Sequence, residues 1–248
     1  MDWKEKLKAA VEELRWVIPD KVGVVFSGGL DSSFLAYISN MWDKDVHLYS
    51  AGTIDSADFN WVFKAADYLG LPLKFITIDE NNILDSIKMI KRIDPNSDAL
   101  QVLFDIPLYF VSSVAYESNL VSGQGSDELF LGYRKYEKND TSSKDLEKLL
   151  NRDLPREIKI AKNFGKTLIA PYLNDSFMDV AKNIPFEFKI ADGIHKKILR
   201  EVAIEYGLNP EIAMRPKKSA QYSSGVKYLI EKIAKNNGKK VYEFIRDL

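Results

Sequence analysis

Lys21-Val-Gly-Val-Val-Phe-Ser-Gly-Gly-Leu-Asp-Ser-Ser33 runs from a short apolar stretch of strand length into a turn of small residues, and then into a helix reaching about Trp42. A turn of this kind lets backbone N–H groups approach an anion at the positive end of the helix dipole. Ser27, Ser32 and Ser33 add hydroxyl donors, and the carboxylate of Asp31 can hold a cation, so phosphate together with Mg2+ is the ligand that suits this chemistry. The plainer alternative is a tight turn with a serine cap, a role that glycine and serine also fill. The strand before it and the helix after it weigh towards the anion site.

Working outward, Leu7, Ala10, Val11, Leu14 and Val17 recur at helical spacing until Pro19-Asp20 interrupts them. Downstream come a strand at Val46–Tyr49, a turn at Ser50-Ala-Gly52, a helix over Asp58 to Leu69 and a strand at Leu73–Ile78. Helical spacing follows over Ile83–Ile93 and Ala99–Tyr116, and Leu120-Val-Ser122 leads into a second glycine turn, Gly123-Gln-Gly125. Strands alternating with helices predict an α/β fold: a doubly wound, mainly parallel sheet covered on both faces. Tyr133–Ser143 is polar, without apolar period, and reads as an exposed loop dividing an α/β core (1–135) from a mostly helical portion (136–248). In the latter, Leu146–Leu154, Glu157–Phe164, Ser176–Asn183, Lys196–Tyr206 and Val226–Lys235 carry helical spacing, and no internal repeat is visible.

The chain has 248 residues, 46% of them hydrophobic and 29% charged, enough apolar material for a core in one large domain or two small ones. Lys plus Arg (35) against Asp plus Glu (36) leaves a net charge of -1, so neither nucleic acid nor an acidic membrane is an expected partner. The absence of cysteine excludes disulfides, thiolate metal sites, iron–sulfur clusters and cysteine nucleophiles. With only two histidines, His47 and His195, both read as structural, any metal should be a hard cation on oxygen. The first twenty residues carry charges throughout, unlike a signal peptide, and no uncharged stretch reaches the ~18 residues that span a bilayer. A cytoplasmic, soluble protein is expected.

Two common phosphate signatures fail on spacing. A Walker A loop ending at Gly165-Lys-Thr167 needs glycine where Ile160 stands, and a dinucleotide fingerprint at Gly123-Gln-Gly125 needs glycine where Glu128 stands. Ser27–Ser33 instead resembles the pyrophosphate loop of the ATP pyrophosphatase superfamily, whose fold is adenine nucleotide alpha hydrolase-like. Within it, Ser122-Gly-Gln-Gly-Ser-Asp-Glu-Leu-Phe-Leu-Gly-Tyr133 resembles the second signature of the asparagine synthetase domain, shared with β-lactam synthetase. Ala170-Pro-Tyr-Leu173, Lys196–Arg200 and Arg215-Pro-Lys-Lys-Ser-Ala-Gln-Tyr222 resemble its later blocks in order, so the likeness covers about residues 5 to 230.

The resemblance implies a single domain over 1–248 that uses ATP and Mg2+ to adenylate a carboxylate, releasing pyrophosphate and then AMP as an amine forms the amide. It places Ser27, Gly28, Gly29, Asp31 and Ser32 on the pyrophosphate, Asp31 and Asp127 on Mg2+, and Ser50, Gly52 and Gly123 around adenosine. Lys217 would contact the reacting phosphates and Lys196 would be a second phosphate contact. For Ser50–Gly52, a plain strand-end turn stays open, as does a solvated surface role for Lys217.

One departure bears on the substrate. Gln124 stands where asparagine synthetases generally carry a glutamate, and glutamine is neither base nor anion. Glu157 is a candidate replacement acid or base, against the alternative of a solvated helical carboxylate. The family's glutaminase half, with its cysteine nucleophile, is not in these residues. Nitrogen would come from free ammonia, a separate amidotransferase subunit or an amine on the substrate. An asparagine synthetase-like amide synthetase is therefore expected. A ligase on another carboxylate, as in β-lactam synthetase, and a non-catalytic ATP-binding regulator are the alternatives, and self-association is left open.

Overall fold

Strand and helix alternate along the first half of the chain. They run as α1 (Trp3–Val17), β1 (Lys21–Val25), α2 (Leu30–Met41), β2 (Asp45–Gly52), α3 (Phe59–Leu69), β3 (Leu73–Thr77), α4 (Ile83–Ile93), α5 (Ala99–Val114) and β4 (Asn119–Val121). The second half follows with α6 (Ser126–Leu129), α7 (Ser142–Lys148), α8 (Leu154–Asn163), β5 (Thr167–Ile169), α9 (Asp175–Asn183) and α10 (Phe186–Lys189). A short hairpin of β6 (Ile190–Ala191) and β7 (Ile194–His195) precedes α11 (Lys197–Glu205), α12 (Pro210–Ala213), α13 (Val226–Asn236) and α14 (Val241–Asp247). The computed structural model describes residues 2–137, 141–216 and 224–248.

The five longer strands form one parallel sheet in the order β3-β2-β1-β4-β5. From β1 the chain steps outward to β2 and β3, then crosses back to β4 and continues to β5. Right-handed crossovers therefore put α2 and α3 on one face and α4, α5 and α8 on the other. Two apolar cores result. One gathers Leu7, Leu14, Phe34, Leu35, Phe177 and Val202 from α1, α2, α9 and α11, and the other gathers Ile87, Ile90, Leu103, Ile106, Ile160 and Ile230 from α4, α5, α8 and α13. At the β1/β4 boundary the chain leaves neighbouring strands in opposite directions, which opens a crevice at their carboxyl ends.

Local signals fix the helix starts that frame this crevice. The side chain of Asp2 accepts from the backbone N–H of Lys4 at 3.1 Å and opens α1. Asp98 and Gln101 form a reciprocal capping box at 2.9 and 2.7 Å that opens α5. Inside α5, Pro107 supplies no N–H, so one helical carbonyl loses its partner where the helix borders the crevice.

The structure corrects several expectations. Ser50-Ala-Gly52 is not a turn but the buried end of β2, paired with Phe75, Ile76 and Thr77 of β3, because a strand covered on both faces can continue through small residues. The stretch expected as an exposed loop at Tyr133–Ser143 contains a 3-10 turn, Arg134–Glu137, whose Tyr136 is buried, and α7 already begins at Ser142. Residues 138–140 of that stretch lie outside the described residues. A π turn at Leu149–Asp153 joins α7 to α8 where two separate helices were expected. β5 and the β6–β7 hairpin went unread in the sequence, being too short to show a period.

The capping box carries a measurable share of α5. Replacing Asp98 with Ala should lower stability by about 1 kcal/mol in urea denaturation, with Asp98→Asn losing less.

Candidate active site

The strand-to-helix turn after β1 is held by its own hydroxyls. Ser32 Oγ accepts from the Ser27 backbone N–H at 3.2 Å and lies 3.2 Å from Ser27 Oγ, which itself accepts from the Gly29 N–H at 3.3 Å. Gly29 is the N-cap of α2 and offers no side-chain cap, so the first-turn N–H groups are not closed off by the helix's own start. Gly28 adopts φ +67, and a Cβ there would lie 2.8 Å from the ring of Trp61, whose indole N–H donates to the Gly28 carbonyl at 2.7 Å. Glycine is thus required both by backbone angle and by close packing.

After β4, the turn Gly123-Gln-Gly125 brings α6 against this loop. A Cβ on Gly123 would lie 2.9 Å from Asp31 Cβ, and Ser126 Oγ donates to Asp31 Oδ1 at 2.7 Å. Between the loops stands the ammonium of Lys196. Its Nζ is 2.8 Å from both Asp31 oxygens, 2.7 Å from Asp127 Oδ1 and 3.2 Å from Ser126 Oγ, with the side chain 2% exposed. Lys196 reaches this position as the N-cap of α11 from a left-handed backbone, φ +56, a conformation that persists in a non-glycine residue only where its surroundings impose it.

Asp31 and Asp127 therefore already converge on one cation at contact distance. Among the described residues no cluster of three or more His, Cys, Asp or Glu could ligate a metal. The pair fits Mg2+ in particular, which is bound through one or two carboxylates with phosphate oxygens and water completing its shell.

Next to the loops a pocket, open to solvent, lies across the carboxyl ends of β1, β2 and β4. Phe26, Ser27, Ser50, Ala51 and Gly52 line its β1–β2 side, and Phe104, Pro107, Leu108, Val111, Gln124 and Glu157 its α5–α8 side. Glu157 is buried, which removes the solvated alternative, and its Oε1 accepts from Gln124 Nε2 at 2.6 Å. Burial is the main cause that pushes its carboxyl up to about 8, with the charge of Asp105 adding to it and Arg156 opposing. Behind it, Arg156 donates to Asp105 at 2.5 and 3.2 Å and to Asp153 at 2.8 Å. Desolvation still leaves Asp105 raised, to about 6.

Of the residues expected from sequence, Ser27, Gly28, Gly29, Asp31, Ser32, Gly123, Asp127 and Lys196 meet around the two loops. Ser27, Ser50, Gly52, Gln124 and Glu157 meet in the pocket. Lys217 lies outside the described residues. Sequence reasoning missed the Asp105–Arg156 pair, although a lone acid within Val102-Leu-Phe-Asp-Ile-Pro-Leu-Tyr109 was a signal. It also missed Ser126, and Arg215, which pairs with Asp58 at 2.5 Å and stacks 4.4 Å from the Trp61 ring.

The sequence matches the family described as asparagine synthase over residues 2–164 and 139–245. It is 33% identical over 275 positions to a protein of Methanocaldococcus jannaschii named as a glutamine-hydrolysing asparagine synthetase, covering 91% of this chain and 50% of that one. It is 30% identical to the root asparagine synthetase of Pisum sativum, covering 89% and 42%, and 28% identical to asparagine synthetase B of Escherichia coli, covering 87% and 45%. The chain spans half or less of the length of these relatives. The chain belongs to the asparagine synthase family. Among the described residues no helix is long and apolar enough to cross a membrane.

Two outcomes follow from this geometry. Lys196→Met should leave one buried and one partly buried carboxylate without their cation and cost about 3 kcal/mol, and millimolar Mg2+ should restore part of that loss in thermal melts while shifting the wild type less. A variant as stable as wild type and indifferent to Mg2+ would contradict the bridge. For Glu157 the folded carboxyl titrates above its ordinary value, so the folded state holds a proton that the unfolded chain has lost. Its stabilising contribution is full below pH 4.5 and falls away as pH rises to about 8; Glu157→Gln should remove this decline, seen as a stability difference that shifts in the variant's favour from pH 5 to 8.

Proposed function

We propose that this chain is an AMP-forming amide synthetase that activates a carboxylate with MgATP and joins it to ammonia or an amine. The observation that carries the reading is the convergence of Asp31 and Asp127, from the first turns of α2 and α6, on a single cation beside the open N-terminus of α2. That arrangement suits a nucleotide phosphate group with a divalent ion that Asp31 and Asp127 would hold.

In this scheme the Ser27–Ser32 turn binds the departing pyrophosphate, with backbone N–H groups and hydroxyls compensating its charge. Asp31 and Asp127 would hold Mg2+, which when bound supplies positive charge to the phosphates. The ammonium of Lys196, which now compensates both carboxylates, would then supply positive charge to the phosphates as well. Adenosine occupies the β1–β2 side of the pocket, against Phe26, Ser50, Ala51 and Gly52. A carboxylate oxygen of the acceptor attacks the α-phosphorus and the α–β bridging oxygen leaves with pyrophosphate. The amine then attacks the acyl carbon, and the carbon–oxygen bond to AMP breaks.

The second half-reaction needs a base for the amine's proton, and Glu157 is the candidate. Gln124 cannot take a proton but donates to Glu157 and fixes one of its oxygens. At neutral pH Glu157 is mostly protonated, and its carboxylate form grows as pH approaches and passes about 8. Nitrogen would arrive as ammonia, free or released by an amidotransferase, or as an amine on the substrate itself. Gln124 in place of the family glutamate favours, as a second reading, a ligase on a carboxylate other than aspartate.

The two half-reactions separate the roles. Glu157→Gln should retain carboxylate-dependent exchange of pyrophosphate into ATP while amide formation falls by about 100-fold or more. In the wild type amide formation should rise with pH through about 8. Equal loss of exchange and amide formation in the variant would remove Glu157 from the base role.

A further inference from the structure

The turn after β1 is pinned at both ends. Upstream, the Ser27 backbone N–H donates to Ser32 Oγ at 3.2 Å, and downstream the Gly29 carbonyl accepts from the Ser33 N–H at 3.1 Å as α2 begins. Between these bonds the peptide unit joins two glycines, Gly28 and Gly29. Resting on the reading that this turn holds pyrophosphate, we infer that Trp61 of α3 is a positioning residue for the anion. Its indole N–H locks the Gly28–Gly29 peptide so that the Gly29 N–H, and not a carbonyl, is turned to the ligand.

A trans peptide sends its carbonyl and its N–H in opposite directions, so fixing one fixes the other. The Gly28 carbonyl points to Trp61, whose Nε1–H donates to it at 2.7 Å, and the Gly29 N–H is turned the other way, to Ser27 Oγ at 3.3 Å. That second bond is long and exposed, which leaves its donor open to an anion oxygen. Ser27 itself is exposed and lines the pocket, so the N–H stands on the side a ligand reaches. Gly28 is buried, and without the indole its carbonyl would lose this partner.

The sequence makes this peptide easy to turn over. Doing so keeps Gly28 at φ +67 and carries Gly29 from φ −84 into the positive region, which glycine enters freely. Both pinning bonds survive, since neither uses an atom of that peptide unit. The turned-over form would present a carbonyl where a phosphate oxygen needs a donor, and a row of backbone N–H groups is what an anion-binding turn depends on.

The indole is held in turn. The Arg215 guanidinium lies 4.4 Å from its ring centroid and is tied to Asp58 Oδ1 at 2.5 Å, while the Arg215 carbonyl accepts from Arg200 at 3.1 Å. A cation over an indole face is a favourable arrangement, and here it restrains the ring that carries the N–H. A Cβ on Gly28 would stand 2.8 Å from Trp61 Cδ1, so the ring packs directly on the turn.

The test is calorimetry on the full chain with three probes, magnesium pyrophosphate, MgATP and AMP, comparing wild type with Trp61→Phe. Phenylalanine keeps a ring beside Arg215 but has no N–H to donate, and circular dichroism reports the fold. Trp61→benzothienylalanine, which keeps the indole's shape with sulfur in place of N–H, is the second variant should the first fail to fold. The expected result is a loss of about tenfold in affinity for pyrophosphate and MgATP, as for one hydrogen bond left unmade, with AMP within about twofold of wild type because it lacks the pyrophosphate group. A second arm repeats the comparison in a Gly29→Ala background. Alanine accepts φ −84, where its Cβ would meet only Ser27 Oγ at 3.4 Å, but is strained at the positive φ of the turned-over peptide. There the cost of Trp61→Phe should fall below about twofold, whatever Gly29→Ala does by itself. If the alanine alone prevents binding, the split between pyrophosphate and AMP decides. A folded variant that binds pyrophosphate as wild type does would overturn the inference and leave the amide synthetase reading standing. So would a loss falling equally on AMP, or a cost that Gly29→Ala does not reduce. A wild type that binds neither pyrophosphate nor MgATP would overturn the reading and the inference together.

Discussion

The ammonium of Lys196 between Asp31 and Asp127 is the contact on which the site depends. It joins three segments far apart in sequence: the first turn of α2, the first turn of α6 and the start of α11. Two carboxylates so close repel one another, and the shared cation compensates the charge of both. Room for the arrangement is made by missing side chains. A Cβ on Gly123 would press on Asp31, and one on Gly132 would run into Asp127 and Lys196. The glycines of Gly123-Gln-Gly-Ser-Asp-Glu-Leu-Phe-Leu-Gly132 thus serve the packing of charged groups as much as the turn itself.

Parallel strand order supplies the rest of the constraint. Because β1 and β4 are neighbours whose following segments depart to opposite faces, their terminal loops meet without either strand having to bend. The chemistry at the junction is then graded by burial. On the α2 side, an uncapped helix start and the exposed Ser27 suit an anion. On the α5–α8 side, desolvation dominates, raising Glu157 to about 8 and Asp105 to about 6 despite the adjacent guanidinium. One pocket therefore has a polar end beside the loops and an apolar end against α5.

Much of this was legible in the sequence. The alternation of strand and helix, the two glycine turns and the acids that follow them are local patterns, and they set the core of the fold and the Asp31–Asp127 pairing. Ser50–Gly52 was misread because small residues signal a turn unless a neighbouring strand, here β3, continues the ladder beside them. Tyr136 looked exposed among charged neighbours, yet a single 3-10 turn is enough to bury it. Glu157 and Arg156 are adjacent in sequence and both charged. No periodicity distinguishes a pair that faces solvent from one that faces a buried acid fifty residues away, and only the packing of α8 on α5 decides it.

The central claim is that the carboxylate is joined to AMP before the amide forms. The most direct measurement is isotope transfer: an 18O-labelled acceptor acid that supports turnover is incubated with the chain, MgATP and ammonium, and the AMP is examined by mass spectrometry. Attack of the carboxylate on the α-phosphorus places one labelled oxygen in the phosphate of AMP. Unlabelled AMP, or ADP and phosphate as the nucleotide products, would contradict the account.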